Sequence, residues 1–486
     1  MLTNVRIVLT GLFAMILVSC SDYLDKQPSK SSNAPITNAS QLLALIDYIT
    51  NVLEQSDAAA FMVDDCGLSN ELMDAYPTLM QPACFTAFYG DGQAALASSG
   101  LWGGEYAKIF NYNTIINAAS SVEDQATAKD ALATAFFCRA WSFYTLAQYY
   151  CLPYCEQNKE ALGLSLRLGT DFEENLSRAT LEETYNQIFS DLANAESISQ
   201  DAVDPDKRWR ASKCAVNAFY ARLYMTIGDY QKAKEYNDKA LSNAPQLYDY
   251  NQFVEGTPGN YALGTTIYCE TNSWSESKIY YFPEYIFVRL GYNANQWYIP
   301  SKDLIASYDQ ENDLRYIWFM NPTGNYRFNC TFSEYRYNPY YDGSYAFSGL
   351  SIAELILNKA EINVRTGNWQ QGLKDLEELR AKRFVTGSDI TLTANSQSEA
   401  LKQVLAERRR EFPFALRMGD IKRYSVNETT EDDVTITRDF YEMTGAGPNK
   451  SNVLHLSVKG DDPRLAIPIT DVEINASGGR IQQNPY

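Results

Sequence analysis

The chain has 486 residues, 60 acidic and 41 basic, for a net charge of −19, and it carries one histidine. That length buries a large core in one or two domains, while the acidity leaves no basic stripe with which to bind a phosphate backbone. A single histidine leaves almost no room for a histidine-based triad or zinc site.

At the start, Arg6 precedes an almost purely apolar run of 12 residues, Ile7 to Val18. At ~1.5 Å rise per residue such a run falls short of a ~30 Å bilayer core. It reads as a signal peptide over residues 1–19. The run closes on Leu17-Val18-Ser19-Cys20, small residues before a cysteine as in a bacterial lipobox. Cys20 is therefore the expected lipidation site and mature N-terminus. Residues 20–35 hold Pro28, Pro35 and a Ser-Ser-Asn cluster, the make-up of a flexible tether.

Next comes a short loop-like patch, Ala75 to Gly104, with Tyr76, Phe85, Phe88 and Tyr89 among glycines. The spacing of Leu132, Phe136, Phe143 and Tyr150 predicts a helix over 126–150 that Pro153 stops. Thr180, with Glu183 three residues on, is a capping box that opens a helix striped with Leu181, Tyr185, Ile188 and Leu192. Two later stretches share a pattern. Ala221 lies seven residues before Gly228 and Ala233 five after it; Ala360 and Gly372 stand in the same relation to Gly367. This is tetratricopeptide-like spacing, two antiparallel helices with small residues where their backbones approach. Each turn glycine supplies the positive φ that ends a first helix.

Between those pairs, Gln246 to Gly349, helical periodicity fades. This fifth of the chain holds 27 of its 64 aromatic residues. Aromatic loops on a helical scaffold are where binding is usually found. The only dense basic cluster, Arg408-Arg409-Arg410, has Glu407 and Glu411 beside it. Besides Cys20 there are eight cysteines, with no CxxC pair; mostly buried thiols are expected, and Cys66–Cys84 is the least implausible bridge.

Catalytic motifs are missing: no G-x-S-x-G elbow, no phosphate-cradling glycine loop, no G-x-G-x-x-G after a strand. Asp309-Gln310-Glu311-Asn312-Asp313 echoes a calcium loop, but Leu314 replaces its glycine and Met320 its bidentate Glu. A glycosidase needs only two carboxylates at a suitable distance. Glu270, Glu276 and Asp342 are candidates, but among 60 acids abundance makes the signal worthless without geometry. The aromatic loops remain. A sugar ring has an apolar face and a hydroxyl rim, and Trp and Tyr offer flat apolar faces with a polar tip. Trp274 and Trp297 lie in polar, turn-rich surroundings, unlike Trp141 and Trp369 in core-like helices. They lead the candidates for a ligand platform, with Tyr280, Tyr281, Tyr298, Tyr292 and Tyr89 behind them.

The chain resembles the SusD/RagB family of outer-membrane nutrient-binding lipoproteins over nearly its whole length. The resemblance rests on the lipobox with Cys20-Ser-Asp-Tyr-Leu-Asp-Lys-Gln-Pro28, on Trp102, Tyr106, Ile109 and Asn113, and on Arg139-Ala140 with Leu152-Pro153. It continues through Tyr298-Ile-Pro-Ser301, Asp313 and Arg315. Its most specific stretch is Glu407-Arg-Arg-Arg-Glu411-Phe-Pro-Phe with Arg417, Asp420 and Arg423, and it closes on Ile467-Pro-Ile469, Glu473, Asn475 and Gln483-Asn-Pro-Tyr486. The chain departs from the family pattern at Cys151 (commonly glycine), Ala415 (often Glu) and Met418-Gly419 (aromatic residues). The resemblance implies a mainly α fold with four tetratricopeptide-like pairs, an α-α superhelix. It further implies a surface-exposed, lipid-anchored protein of the outer membrane that captures oligosaccharide, or peptide in the RagB branch. Such a protein passes its ligand to a SusC-like TonB-dependent transporter without a catalytic step and without a cofactor. One such domain is expected over 36–486, with helices mainly about 100–245 and 350–412 and the aromatic insert about 246–349. The rival readings are a peptide binder on the same scaffold, a protein-interaction scaffold and a glycosidase.

Overall fold

The structure is a computed structural model that describes residues 36–54, 57–75, 85–88, 100–171, 176–255, 267–269, 280–292, 298–321, 335–337, 345–444 and 447–485. The leader, Cys20 and the tether lie outside these residues.

Local signals place the helices. The first, α1 (Ala39–Ile46), opens on a capping box in which Asn38 accepts the N–H of Gln41 and the Gln41 side chain accepts that of Asn38. β1 (Leu53–Glu54), α2 (Asp57–Met62) and α3 (Asn70–Ala75) lead to α4 (Leu101–Ala118) and the 26-residue α5 (Gln125–Tyr150). Asp124 caps α5 by accepting the Thr127 N–H at 3.1 Å. From Ala131 onward α5 is buried on nearly every side, with Phe137, Trp141, Phe143 and Tyr150 inside. It is the spindle on which α4 and α6 (Leu181–Ala195) pack. The expected box opens α6: Thr180 accepts the Glu183 N–H at 3.1 Å and Glu183 accepts that of Thr180 at 2.9 Å. Leu181, Tyr185, Ile188 and Leu192 all face the core.

The first repeat pair is α7 (Lys213–Thr226) with α8 (Tyr230–Leu241). The chain then breaks into short pieces: β2 (Phe253–Glu255), β3 (Ile267–Cys269), β4 (Tyr285–Phe287), β5 (Leu290–Tyr292), α9 (Lys302–Ala306), α10 (Leu314–Phe319), β6 (Met320–Asn321), β7 (Arg336–Tyr337), β8 (Tyr345–Phe347) and β9 (Leu350–Ser351). β1 runs parallel to β5, which pairs antiparallel with β8, so the N-terminal segment and the insert share a sheet. The second repeat pair follows, α11 (Ile352–Arg365) with α12 (Trp369–Arg380). Gly228 and Gly367 turn the two pairs at φ +79° and +95°. Ala221, Ala233 and Ala360 are fully buried. A Cβ on Gly372 would lie 2.7 Å from the Ala360 carbonyl oxygen and 2.6 Å from Val364 Cγ2, so the two backbones nearly touch there.

α13 (Gln397–Glu411) packs on α11 and α12 around a second core that includes Leu357, Leu376 and Val404. Trp369, expected in a core, is only half-buried at the edge of this one. α14 (Arg417–Tyr424), the antiparallel hairpin of β10 (Thr435–Thr444) and β11 (Gly447–Lys459), and α15 (Asp471–Ala476) close the chain against the main core. Among the described residues no helix is long and apolar enough to cross a membrane. Cys138, Cys151 and Cys214 are buried free thiols, Cys155 is a partly exposed one, and Cys66 is buried. Burial pushes the Cys214 thiol up to about 12, which makes it inert. Cys84 lies outside the described residues, and with it the Cys66–Cys84 pairing.

Candidate binding face

The charged residues that mark the sequence are spent inside the scaffold. Arg315 donates to Asp313 at 2.7 Å, Glu407 at 2.5 Å and Glu411 at 2.9 Å, and Arg383 bridges Glu411 and Glu284 at 2.8 Å each. Burial alone would push the Glu407 carboxyl up; Arg410, Arg315 and Arg380 instead hold it well below the usual carboxylate range. A second run alternates in sign: Arg222–Glu354, Arg408–Asp420, Asp420–Arg423, Arg423–Glu361, Glu361–Arg365 and Arg365–Asp432, each within 2.9 Å. Arg409 takes Asp65 at 2.6 Å, and Arg410 takes Glu407 at 2.7 Å. The one dense basic cluster is thus neutralised internally. Asn113 plays a similar part, donating to the Arg167 and Gly169 carbonyls and accepting from Arg139, which pairs with Asp191 at 2.6 Å. The Asp309 run is a turn. Asp309 accepts the N–H groups of Glu311 and Asn312, while Asp313 is locked to Arg315. Among the described residues no group of three or more His, Cys, Asp or Glu could hold a metal ion. His455 is an exposed strand residue on β11, 2.5 Å from Asp439 across the hairpin.

A narrow cleft opens between α5, α7, α11 and α14. Its walls are members of the same charge lattice, Arg222, Glu354, Arg408, Asp420 and Arg423. Glu54 there is saturated by the Trp141 indole and the Ser348 hydroxyl, both at 2.8 Å. The Arg222 guanidinium covers the Trp141 ring at 5.0 Å. The cleft offers few unspent groups.

The aromatic insert is different. Asp313 caps the six-residue α10. Leu314, Arg315 and Phe319 anchor it, so Tyr316, Ile317 and Trp318 turn outward. Ile317 is 42% exposed, and Tyr316 and Trp318 are half-buried. The Tyr316 hydroxyl lies 3.0 Å from that of Tyr335, beside β7, and Tyr308 flanks it with ring centroids 6.4 Å apart. Burial first, then the Tyr335 hydroxyl, pushes the Tyr316 phenol up to about 12. The Trp318 indole N–H is tucked in with no acceptor among the described residues.

The expected platform residues fall in several places. Trp274, Trp297 and Tyr89 lie outside the described residues, as do Glu270, Glu276 and Asp342. Tyr292 sits on β5 opposite Tyr345; its side chain is not among those described. Tyr280 and Tyr281 are half-buried, and Tyr281 meets Trp209 edge-on at 6.0 Å. Trp209 in turn donates to Asp47 at 2.8 Å under the Lys207 ammonium. Tyr298 is a correction. It is 1% exposed, its hydroxyl donates to the Gly291 carbonyl, and its ring packs on Phe414 at 5.2 Å, so it is core and not platform. Trp102, one of the residues that carry the family resemblance, is also buried.

Residues 221–486 match the family described as "SusD family", and residues 22–225 match one described as "Starch-binding associating with outer membrane". The chain belongs to the SusD family. The SusD-like protein P2 of Formosa agariphila is 29% identical over 147 residues, a match that spans 30% of this chain and 27% of that relative's length. A SusD superfamily protein from Bacteroides thetaiotaomicron superposes with a TM-score of 0.63 at 17% identity, over 93% of this chain and 100% of the other. Surface glycan-binding protein A from Bacteroides uniformis gives 0.60 at 16% identity, over 92% and 98%. These likenesses show that the mainly helical fold is the SusD fold.

Sequence reasoning passed over Tyr316, Trp318 and Tyr335. Tyr316-Ile317-Trp318-Phe319 is an apolar run, and polar neighbours were the signal for exposure. The available clue was Asp313 as a cap, which makes the run a helix too short to bury all its faces.

Proposed function

We propose that this SusD family member is a non-catalytic glycan-capture protein. In this reading it is lipid-anchored through Cys20 at the outer face of the outer membrane and delivers oligosaccharide to a SusC-like TonB-dependent transporter. The observation that carries the reading is the outward face of α10 with Tyr335. It combines half-exposed rings, an apolar Ile317 and tyrosine hydroxyls on a helix fixed from below by Arg315 and Phe319. Rings of this kind stack on the C–H face of a sugar, while their polar tips bond its rim. The family description and the names of the relatives support carbohydrate as the ligand class. Trp274 and Trp297, with Tyr89, Tyr280, Tyr281 and Tyr292, extend the proposed platform; Tyr298 does not.

The test is binding of an oligosaccharide panel by calorimetry and by native gels. Trp318→Ala and Tyr316→Ala should each weaken the bound glycan about 10-fold or more, with thermal midpoints near wild type and no change in glycan chain length. Undiminished binding in both variants, or a wild type that binds peptides and no glycan, would overturn the reading.

A further inference from the structure

A second cleft opens between the first turns of α4, the segment ahead of α6 and the C-terminal α15. Its floor is apolar. Trp102 and Tyr106 lie 4.9 Å apart at 45°, with Leu176 and Ile481 beside them. The Tyr106 hydroxyl is already committed to the Ser165 carbonyl at 2.8 Å, so the floor offers surface and little hydrogen bonding. Two charged side chains line the cleft, Arg167 and Glu473. Unlike the arginines and carboxylates of the cleft beside Trp141, neither makes an ion pair among the described residues. Arg167 spends one N–H on the Asp171 carbonyl at 3.2 Å. Glu473 rests against the bare first turn of α4, where a Cβ on Gly103 would come within 2.8 Å of its Oε1.

The cleft thus holds one acid and one base, neither spent on an ion pair among the described residues, over an apolar floor. They complement a zwitterion with an apolar body. We propose that this cleft binds a free α-amino acid with an apolar side chain. Glu473 takes the ammonium, Arg167 the carboxylate, and Tyr106, Leu176 and Ile481 the side chain. Nothing in this proposal depends on the aromatic face of α10.

The experiment is calorimetric titration of the full chain with L-leucine and L-phenylalanine, alongside phenethylamine, 3-phenylpropionate and glucose. Saturable binding of the two amino acids is expected, with the one-charge analogues at least about 10-fold weaker. Glu473→Gln and Arg167→Met should each lower amino-acid affinity by a similar factor, and Ala476→Trp, at the exposed rim, should abolish binding by filling the cleft. Thermal midpoints report that the variants remain folded. The proposal is overturned if the wild type binds neither amino acid, if glucose competes for the site, or if the folded Glu473→Gln and Arg167→Met proteins bind as wild type does.

Discussion

Lys422 gives the sharpest energetic test of the scaffold. It is 3% exposed on α14, and its ammonium donates to the carbonyls of Gln148 at 2.6 Å and Cys151 at 3.0 Å, at the C-terminal end of α5. Those carbonyls favour the charged form, yet no carboxylate pairs with it among the described residues, and burial pulls the amine down to about 7. From an ordinary value of 10.5, that depression is worth about 5 kcal/mol at 1.36 kcal/mol per pH unit. The unfolded chain holds this proton at every pH below about 10.5, the folded chain only below about 7. In between the unfolded state binds more protons, so this group's contribution to stability rises with pH; below 7 the penalty is present in full. Lys422→Met removes the titration. Urea unfolding of both proteins at pH 7, 8 and 9 should show wild type gaining on the variant by about 2.5 kcal/mol across that range. Buried tyrosines pull the other way at the alkaline end, but equally in both proteins. A difference that stays flat from pH 7 to 9 would refute the argument and mean that the two carbonyls keep the ammonium charged.

Arg315→Met should cost about 3–5 kcal/mol, read as a lower urea midpoint, because it strands Asp313, Glu407 and Glu411 without their shared cation. Arg315→Lys should recover only part of that, since an ammonium cannot reproduce the fork; a full recovery would argue against the geometry. Gly372→Leu, at the closest approach of α11 and α12, should destabilise by about 1–3 kcal/mol or more through overpacking, and an unshifted thermal midpoint would contradict the contact with Ala360. Cys20→Ala should abolish lipid labelling and release the protein from membranes; retention in the membrane fraction would end the lipoprotein proposal.

Much of the fold was legible because its signals are local. Thr180 with Glu183, and the paired spacings about Gly228 and Gly367, each specify a helix end within a few residues, and the structure has each as expected. The candidate site was less legible, because exposure is decided by partners far along the chain. Tyr298 lies beside Asn295-Gln296 and reads as exposed, but Phe414 covers it. Tyr316 and Trp318 sit in an apolar run, yet face out because Leu314, Arg315 and Phe319 take the inner side of a helix only six residues long. No periodicity can be read over so few residues. The charge lattice was invisible for the same reason. Arg383 and Glu284 are 99 residues apart, and only the folded chain shows that the Glu407–Arg423 stretch is internal wiring.

Phe414 links that wiring to the aromatic insert. It is the one described non-glycine residue with positive φ, +65°, a conformation that costs about 1–3 kcal/mol and persists only where its surroundings over-determine it. Here they do. The Asp65 carboxylate accepts the Phe414 N–H at 2.8 Å and is itself held by Arg409 at 2.6 Å. The outcome of the strain is a ring set between Tyr298 at 5.2 Å and Tyr337 at 5.7 Å. Those two tyrosines are joined by the Tyr337 N–H donating to the Tyr298 carbonyl at 2.7 Å. Tyr337 ends β7, two residues beyond Tyr335 of the aromatic face. The strained residue therefore sits where the insert meets the helices, fixed on one side by buried charge and presenting an apolar wedge on the other. An insert clamped at its base in this way holds the rings of Tyr316, Trp318 and Tyr335 half-buried at its rim, packed from below on the main core.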